Sequence, residues 1–219
     1  MNQIIQFLQD LSENNNREWF QKNKLQYDES RKKALFLTEV VINEIRKFDS
    51  EIPLLDPKDC LFRIFRDVRF SHDKRPYKTN FGSFMAKGGR KSVYAGYYFH
   101  IDPTGSFAGG GIYMPDAEPL KAIREYLAEN GEEFLSLINN KNFKRVYPEM
   151  MDDKLKTAPK GFSPDHEYID LLRYKSFAFM RPFDLTEVAA DNYIEKLIES
   201  FKTLYPVNRF LNEALENNL

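Results

Sequence analysis

Residues 3–11 place Ile4, Ile5, Leu8 and Leu11 at helical spacing, which predicts a short amphipathic helix. Asn14, Asn15 and Asn16 break it, and an asparagine there can cap the helix that follows. From Arg17 to about position 48 the apolar side chains mostly keep the 3.6-residue period, with polar gaps at 23–24 and 30–31. This predicts one long helix, kinked near Asp28, with Trp19 as a core anchor. Pro53 and Pro57 close the helical region.

From Leu61 the period changes to two. Phe62, Ile64, Val68 and Phe70 fall on one face with Arg66 among them; Arg63, Phe65, Asp67 and Arg69 fall on the other. A strand that ran through would seat Arg66 on an apolar face and oblige it to find a carboxylate or several carbonyls. Ser71, Asp73 and Pro76 favour turns, so a strand that stops near Arg66 and a shaped loop over 67–79 fit better. Residues 80–87 read as a second strand closed by Gly88-Gly89. Then Val93–Ile101 and Ser106–Met114 flank Asp102-Pro103-Thr104-Gly105, a strong hairpin turn. Pairing Ile101 with Ser106 sends Val93, Ala95, Tyr97, Phe99, Ile101, Ala108, Ile112 and Met114 to the core face. Tyr94, Gly96, Tyr98, His100, Phe107, Gly109, Gly111 and Tyr113 go to the other. Glycine inside a strand marks close approach of a ligand or of another backbone, and here both readings stay open.

Beyond the hairpin, Asp116 can cap a helix to about Asn130, with a second short helix over 134–138. Residues 142–165 read as irregular. Ser163-Pro164 opens a short helix through Leu172. Ser176–Phe183 reads as a strand, and Asp184 with Glu187 as a capping pair for a helix to about Phe201. A last helix spans about 206–216. The sum is an α+β fold, a mostly antiparallel sheet with helices from both termini packed on it. A length of 219 residues suits a single domain: a helical segment over 1–50, a strand-rich centre over 61–114 and mixed helices and strand over 115–219.

Charge changes this picture at one place. The whole chain stands at −1, but residues 61–91 carry nine basic and two acidic residues, leaving −8 for the remainder. A compact positive island on an acidic chain suits an anion. Arginine meets a carboxylate or phosphate with a planar fork, lysine adds a compact charge, and tyrosine adds a hydroxyl on an apolar ring. A solvated charged strand and loop is the bland alternative.

The string Arg63-x-x-Arg66-Asp67-x-Arg69-Phe70-x-x-Asp73-Lys74-x-Pro76-Tyr77-Lys78 resembles the signature of an uncharacterised family of bacterial and fungal proteins, a domain of unknown function of about this length. The similarity extends to Asn15-Asn16-Arg17-Glu18-Trp19-Phe20, to the Gly-Tyr-Tyr and Gly-Gly-Gly segments, and to Pro159-Lys160-Gly161-Phe162 with Leu171-Leu172-Arg173-Tyr174-Lys175-Ser176-Phe177. The resemblance implies a fold shared along nearly the whole chain. It implies no particular substrate or catalytic residue.

Chemistry must therefore come from the residues. No glycine-rich phosphate loop ending in Gly-Lys-Ser/Thr, no strand–GxGxxG–helix unit and no nucleophile elbow is present, and Gly109-Gly110-Gly111 sits inside a hairpin. His72, His100 and His166 are scattered and no paired-cysteine spacing exists, so neither a metal nor a cofactor is expected. Cys60 stands alone and reads as buried and structural, which favours a reducing cytoplasm. No signal peptide is visible, and no stretch approaches the roughly 20 apolar residues of a membrane span. The leading expectation is a cytoplasmic protein whose arginine-rich cleft binds a small phosphate- or carboxylate-bearing ligand. Arg63, Arg66, Arg69, Lys74, Tyr77, Lys78 and Tyr98 are its ligand-binding candidates. Asp67, Asp73 and His100 are the candidates for acid–base work, with catalysis itself left open. Two alternatives stand beside it. One is a non-catalytic module that binds nucleic acid or an acidic protein by the same surface. The other is a structural arginine–aspartate network with no ligand.

Overall fold

A computed structural model describes residues 1–218. Four strands form one antiparallel sheet in sequential order: β1 (Phe81–Ala86), β2 (Gly96–Ile101), β3 (Ser106–Ile112) and β4 (Phe177–Phe183). Helices from both ends of the chain accompany it, and the fold is α+β as the sequence pattern implies. The residues gather into two compact units, each built from several stretches of chain. Met1–Met85, Tyr98–Ala108 and Pro182–Ile198 make the first; Ala86–Tyr97, Gly109–Arg181 and the chain from Glu199 onward make the second.

In the first unit, α1 (Asn2–Glu13) buries Ile4, Ile5, Phe7, Leu8 and Leu11 along one stripe. Asn16 caps α2 (Arg17–Lys22) by accepting from Trp19 N–H at 2.9 Å. The predicted long helix breaks at Asn23, not near Asp28: α3 (Lys24–Ile45) begins only after it. The cause is local, because Asn23 Nδ2 donates to the Trp19 carbonyl and competes with the helical ladder. Trp19 is only half-buried against Phe7, and the fully buried anchor is its neighbour Phe20. Phe20 stacks on Tyr77 at 4.0 Å, and Tyr27 of α3 stacks on Phe81 of β1. The short α4 (Pro57–Cys60) starts on an Asp56 cap and ends in buried Cys60. The capping box of α8 (Leu185–Ala189) forms between Asp184 and Glu187 with both of its hydrogen bonds.

In the second unit, α5 (Ala117–Asn139) consists of two helical stretches that meet at a break at Asn130, where the sequence pattern ends its first helix. Asn130 leaves helical geometry and its Nδ2 donates to the Tyr126 carbonyl. The stretch expected to be irregular holds α6 (Lys141–Val146), and helix returns only at α7 (Ile169–Leu172). At the C-terminus, α9 (Tyr193–Asn218) runs without interruption through Pro206. Buried Phe201, Leu204, Val207 and Leu211 keep one apolar stripe in phase across the proline. Their packing against the unit outweighs a penalty of about 3 kcal/mol for proline inside a helix. The Asn212 side chain accepts from Ala95 N–H at 2.8 Å and Asn208 donates to the Gly96 carbonyl at 3.1 Å, fixing this helix to the start of β2.

The hairpin parity follows the turn. Tyr97, Phe99, Ile101 and Ala108 are fully buried, while Tyr98, His100 and Phe107 are half-exposed. The hairpin is shorter than expected: Val93 and Met114, assigned to the core face, lie outside the strands and are exposed. The glycines serve backbone packing. A Cβ on Gly110 would overlap the Gly96 carbonyl and lie 2.6 Å from Leu204 Cδ2. Gly111 has φ +90°, and a Cβ there would overlap the Phe177 carbonyl of β4.

Candidate functional site

The short strand expected from Leu61 to about Arg66 does not form, while the expected loop after it does. Phe62 N–H donates to the Gly82 carbonyl, Lys78 N–H to Ile64 and Arg66 N–H to Pro76, so the segment pairs with its own return arm. Only isolated bridges result, Leu61 to Ser83 and Phe65 to Tyr77, and Pro76 has no N–H with which to extend the ladder. The face assignment fails with the strand: Ile64 is buried, but Phe62 is part-exposed and Phe70 is 95% exposed. Residues 67–75 form a closed loop. Asn15 braces its base, accepting from Tyr77 N–H at 3.1 Å and donating to the Tyr77 carbonyl at 3.0 Å.

Within the loop each aspartate holds the arginine two residues later. Asp67 takes Arg69 at 2.7 Å, and Asp73 takes Arg75 at 2.7 Å. Asp73 also takes Arg66 at 2.6 Å. Arg75 first, then Arg66, hold the Asp73 carboxyl far below the usual carboxylate range, and Arg69 lowers Asp67 in the same sense. Lys74 Nζ donates to the Val68 carbonyl at 3.1 Å. Arg63 is exposed and its charge helps lower Asp67. Of the other ligand-binding candidates, Tyr77 is a core residue under Phe20, not a site wall. Lys78 lies over the Phe62 ring at 5.6 Å.

A second cluster stands on the outward face of the hairpin. Tyr98, His100 and Asp102 follow one another at strand spacing and form a chain of polar groups. Tyr98 Oη lies 2.9 Å from His100 Nδ1, and His100 Nε2 lies 3.9 Å from Asp102 Oδ2. Asp102 also accepts from Thr104 N–H and Oγ1 at 2.8 and 2.7 Å, and from Thr79 Oγ1 at 3.3 Å. The His100 ring stacks on Phe107 at 4.8 Å, and Phe62 meets the Tyr98 ring edge-on at 6.1 Å. Gly82 lies beneath the phenol, where a Cβ would overlap Tyr98 Oη. Burial pushes the Tyr98 hydroxyl up to about 12, so it stays protonated at neutral pH. Burial would also raise Asp102, but the facing His100 and the hydrogen bonds from Thr104 outweigh it and lower the carboxyl to about 2. An ionised Asp102 favours a proton on the facing Nε2, which leaves Nδ1 to accept from Tyr98 O–H. Such a chain can pass a proton between the imidazole and the phenol oxygen.

The sequence pattern places Tyr98, His100 and Phe107 together on this face and does not indicate Asp102 or Thr79 as their partners. The period-two pattern that aligns 98 with 100 also aligns them with 102, but Asp102 opens the Asp-Pro-Thr-Gly turn and reads first as a turn residue. Thr79 and Asn15 carry no local signal.

The depressed Asp102 carboxyl has a pH consequence. Its contribution is complete above the ordinary value of about 3.9 and is lost as pH falls toward about 2. After solvent screening this amounts to about 1–2 kcal/mol. Denaturant melts between pH 2 and 5 should show Asp102→Asn losing less stability on acidification than the wild type by that amount. Parallel acid limbs in the two proteins would show that other carboxylates carry the dependence.

Among the described residues no helix is long and apolar enough to cross a membrane, and no three His, Cys, Asp or Glu side chains gather as a metal site. No curated protein and no solved structure matches the chain. The family profile of conserved hypothetical proteins designated DUF2461 matches residues 3–210, and the chain belongs to that family.

Proposed function

We propose that the chain is a cytoplasmic anion-binding protein whose arginine-rich loop holds the phosphate or carboxylate group of a small ligand. The observation that carries this reading is a surplus of positive charge with its carboxylates already engaged. Residues 63–78 contain six basic and two acidic residues. Both aspartates are occupied by arginines of the same loop, and Arg63 and Lys74 form no ion pair with a carboxylate among the described residues. Aspartates at these positions orient the guanidinium forks, which keep further N–H donors for a ligand. The Tyr98–His100–Asp102 chain supports a catalytic form of the same reading, with Tyr98 Oη or His100 as the proton-handling group. The single buried Cys60 favours a reducing compartment.

A second reading has its own observation. Pairing between residues two apart braces a loop whether or not a ligand exists, so the aspartates also suit a purely structural network. Calorimetric titration with phenyl phosphate separates the two. The anion-site reading expects binding that weakens at least tenfold in Arg63→Ala and in Arg69→Ala, with unchanged thermal melting. Absent binding, or equal binding in all three proteins, leaves the structural network.

A further inference from the structure

Phe70 is the most exposed large apolar side chain described, at 95%, and it sits in the middle of the most basic loop of the chain. A single exposed phenylalanine on a surface is ordinary. This one is presented by a braced loop. The Asp67–Arg69 pair precedes it, the Asp73–Arg75 pair follows it, and the Arg66–Pro76 backbone bond closes the loop beneath it. The Arg69 guanidinium carbon lies 5.9 Å from the ring centroid, so a planar cation and an aromatic ring stand side by side at the surface.

A bare phosphate or carboxylate uses the cations and leaves the ring in water. An acidic peptide likewise offers charge without a flat apolar face. A duplex offers phosphates but keeps its base faces stacked on one another. A membrane surface calls for several apolar side chains to insert together, whereas Phe70 is flanked by Arg69 and Ser71 and its neighbour Val68 is half-buried. A flat ring and a negative charge on one ligand match both features of the loop. Stacking on an aromatic side chain beside basic residues is how unpaired bases are held without sequence readout.

We propose that the loop recognises a nucleotide with an unpaired base, the base stacking on Phe70 and the phosphate meeting Arg69, Lys74 or Arg75. The proposal rests on the anion-binding reading of the same loop and names its ligand class. The shared chemistry is a base joined to a phosphate, supplied either as a free nucleotide or along a single strand.

The test uses the full chain and Phe70→Trp as a reporter, with the wild-type signal of Trp19 subtracted. The probes are inorganic phosphate, adenosine 5′-monophosphate, a short single-stranded oligoadenylate, a duplex of the same length and phosphatidylserine-containing vesicles. The expected result is quenching of the new tryptophan by the nucleotide or the single strand, with binding at least tenfold tighter than phosphate. Phe70→Ala should lose about tenfold toward the nucleotide or strand and nothing toward phosphate. A strand preferred over the mononucleotide, with a steep salt dependence, identifies the polymer as the source; equal affinity identifies the free nucleotide. Four results overturn the proposal: nucleotides no tighter than phosphate, no effect of Phe70→Ala, a duplex bound as well as a single strand, or quenching by vesicles alone. If phosphate binding persists in any of these cases and depends on Arg69, the anion site survives without the base. If phosphate does not bind either, both readings fall.

Discussion

Gly111→Ala is expected to destabilise the protein by about 3 kcal/mol or more. Two separate penalties meet at this position. The backbone has φ +90°, where a side chain is strained by about 1–3 kcal/mol. The added Cβ would also overlap the Phe177 carbonyl and lie 3.1 Å from Ala178 Cα. These are backbone atoms of the neighbouring strand, which cannot swing aside as a flexible side chain would, and forced overpacking adds about 1–3 kcal/mol. Gly105→Ala is the control. It lies in the hairpin turn, its φ is not positive, and a Cβ there meets nothing within 4 Å. Its cost should stay within about 0.5 kcal/mol. Urea unfolding of both variants measures the difference. If Gly111→Ala unfolds with the wild type, β3 and β4 separate at this point more easily than their close approach implies.

That glycine also marks how far the sequence could be read. Three glycines inside a strand raise the question of ligand or backbone, and nothing local answers it. The answer depends on Phe177, distant in the chain, and on a backbone angle that composition does not encode. The hairpin was readable because its determinants are local: four turn residues set the parity, and parity sets every side chain on both strands. The arginine segment misled only as far as Arg66, where its alternation imitates a strand. What decides it is the return arm, where Pro76 lacks the N–H a ladder needs. Pro206 misled in the opposite sense, since a strong local breaker was outweighed by a buried stripe that stays in phase across it.

The candidate site divides the same way. Its charge surplus, its arginine–aspartate spacing and the Tyr98–His100 pair can be read along the chain. The partners that give those groups their chemistry come from elsewhere in the fold: Thr79 on Asp102, Gly82 beneath the phenol, Asn15 on Tyr77. Without those contacts Arg63, Lys74 and Tyr77 look equivalent as ligand-binding residues. With them, Tyr77 becomes a core residue and the two cations remain candidates.

Two phenylalanines that the period-two pattern assigned to apolar faces should behave oppositely. Phe99 of β2 is fully buried, and Phe70 is 95% exposed at the arginine loop. Phe99→Ala removes a ring from a core that can relax only partly around the space left, and a cost of about 3–5 kcal/mol is expected. Phe70→Ala removes a ring already in water and should change stability by no more than about 0.5 kcal/mol. The pair separates core function from surface function with one chemical change. Guanidinium unfolding of the two variants, with the slope checked for constancy, gives both numbers. Equal losses would mean that the loop packs onto the protein in solution, and Phe70 would then be a structural residue unable to stack on a ligand. A small loss at Phe99 would mean that the hairpin parity is reversed, placing His100 inside and removing the Tyr98–His100–Asp102 chain from the surface.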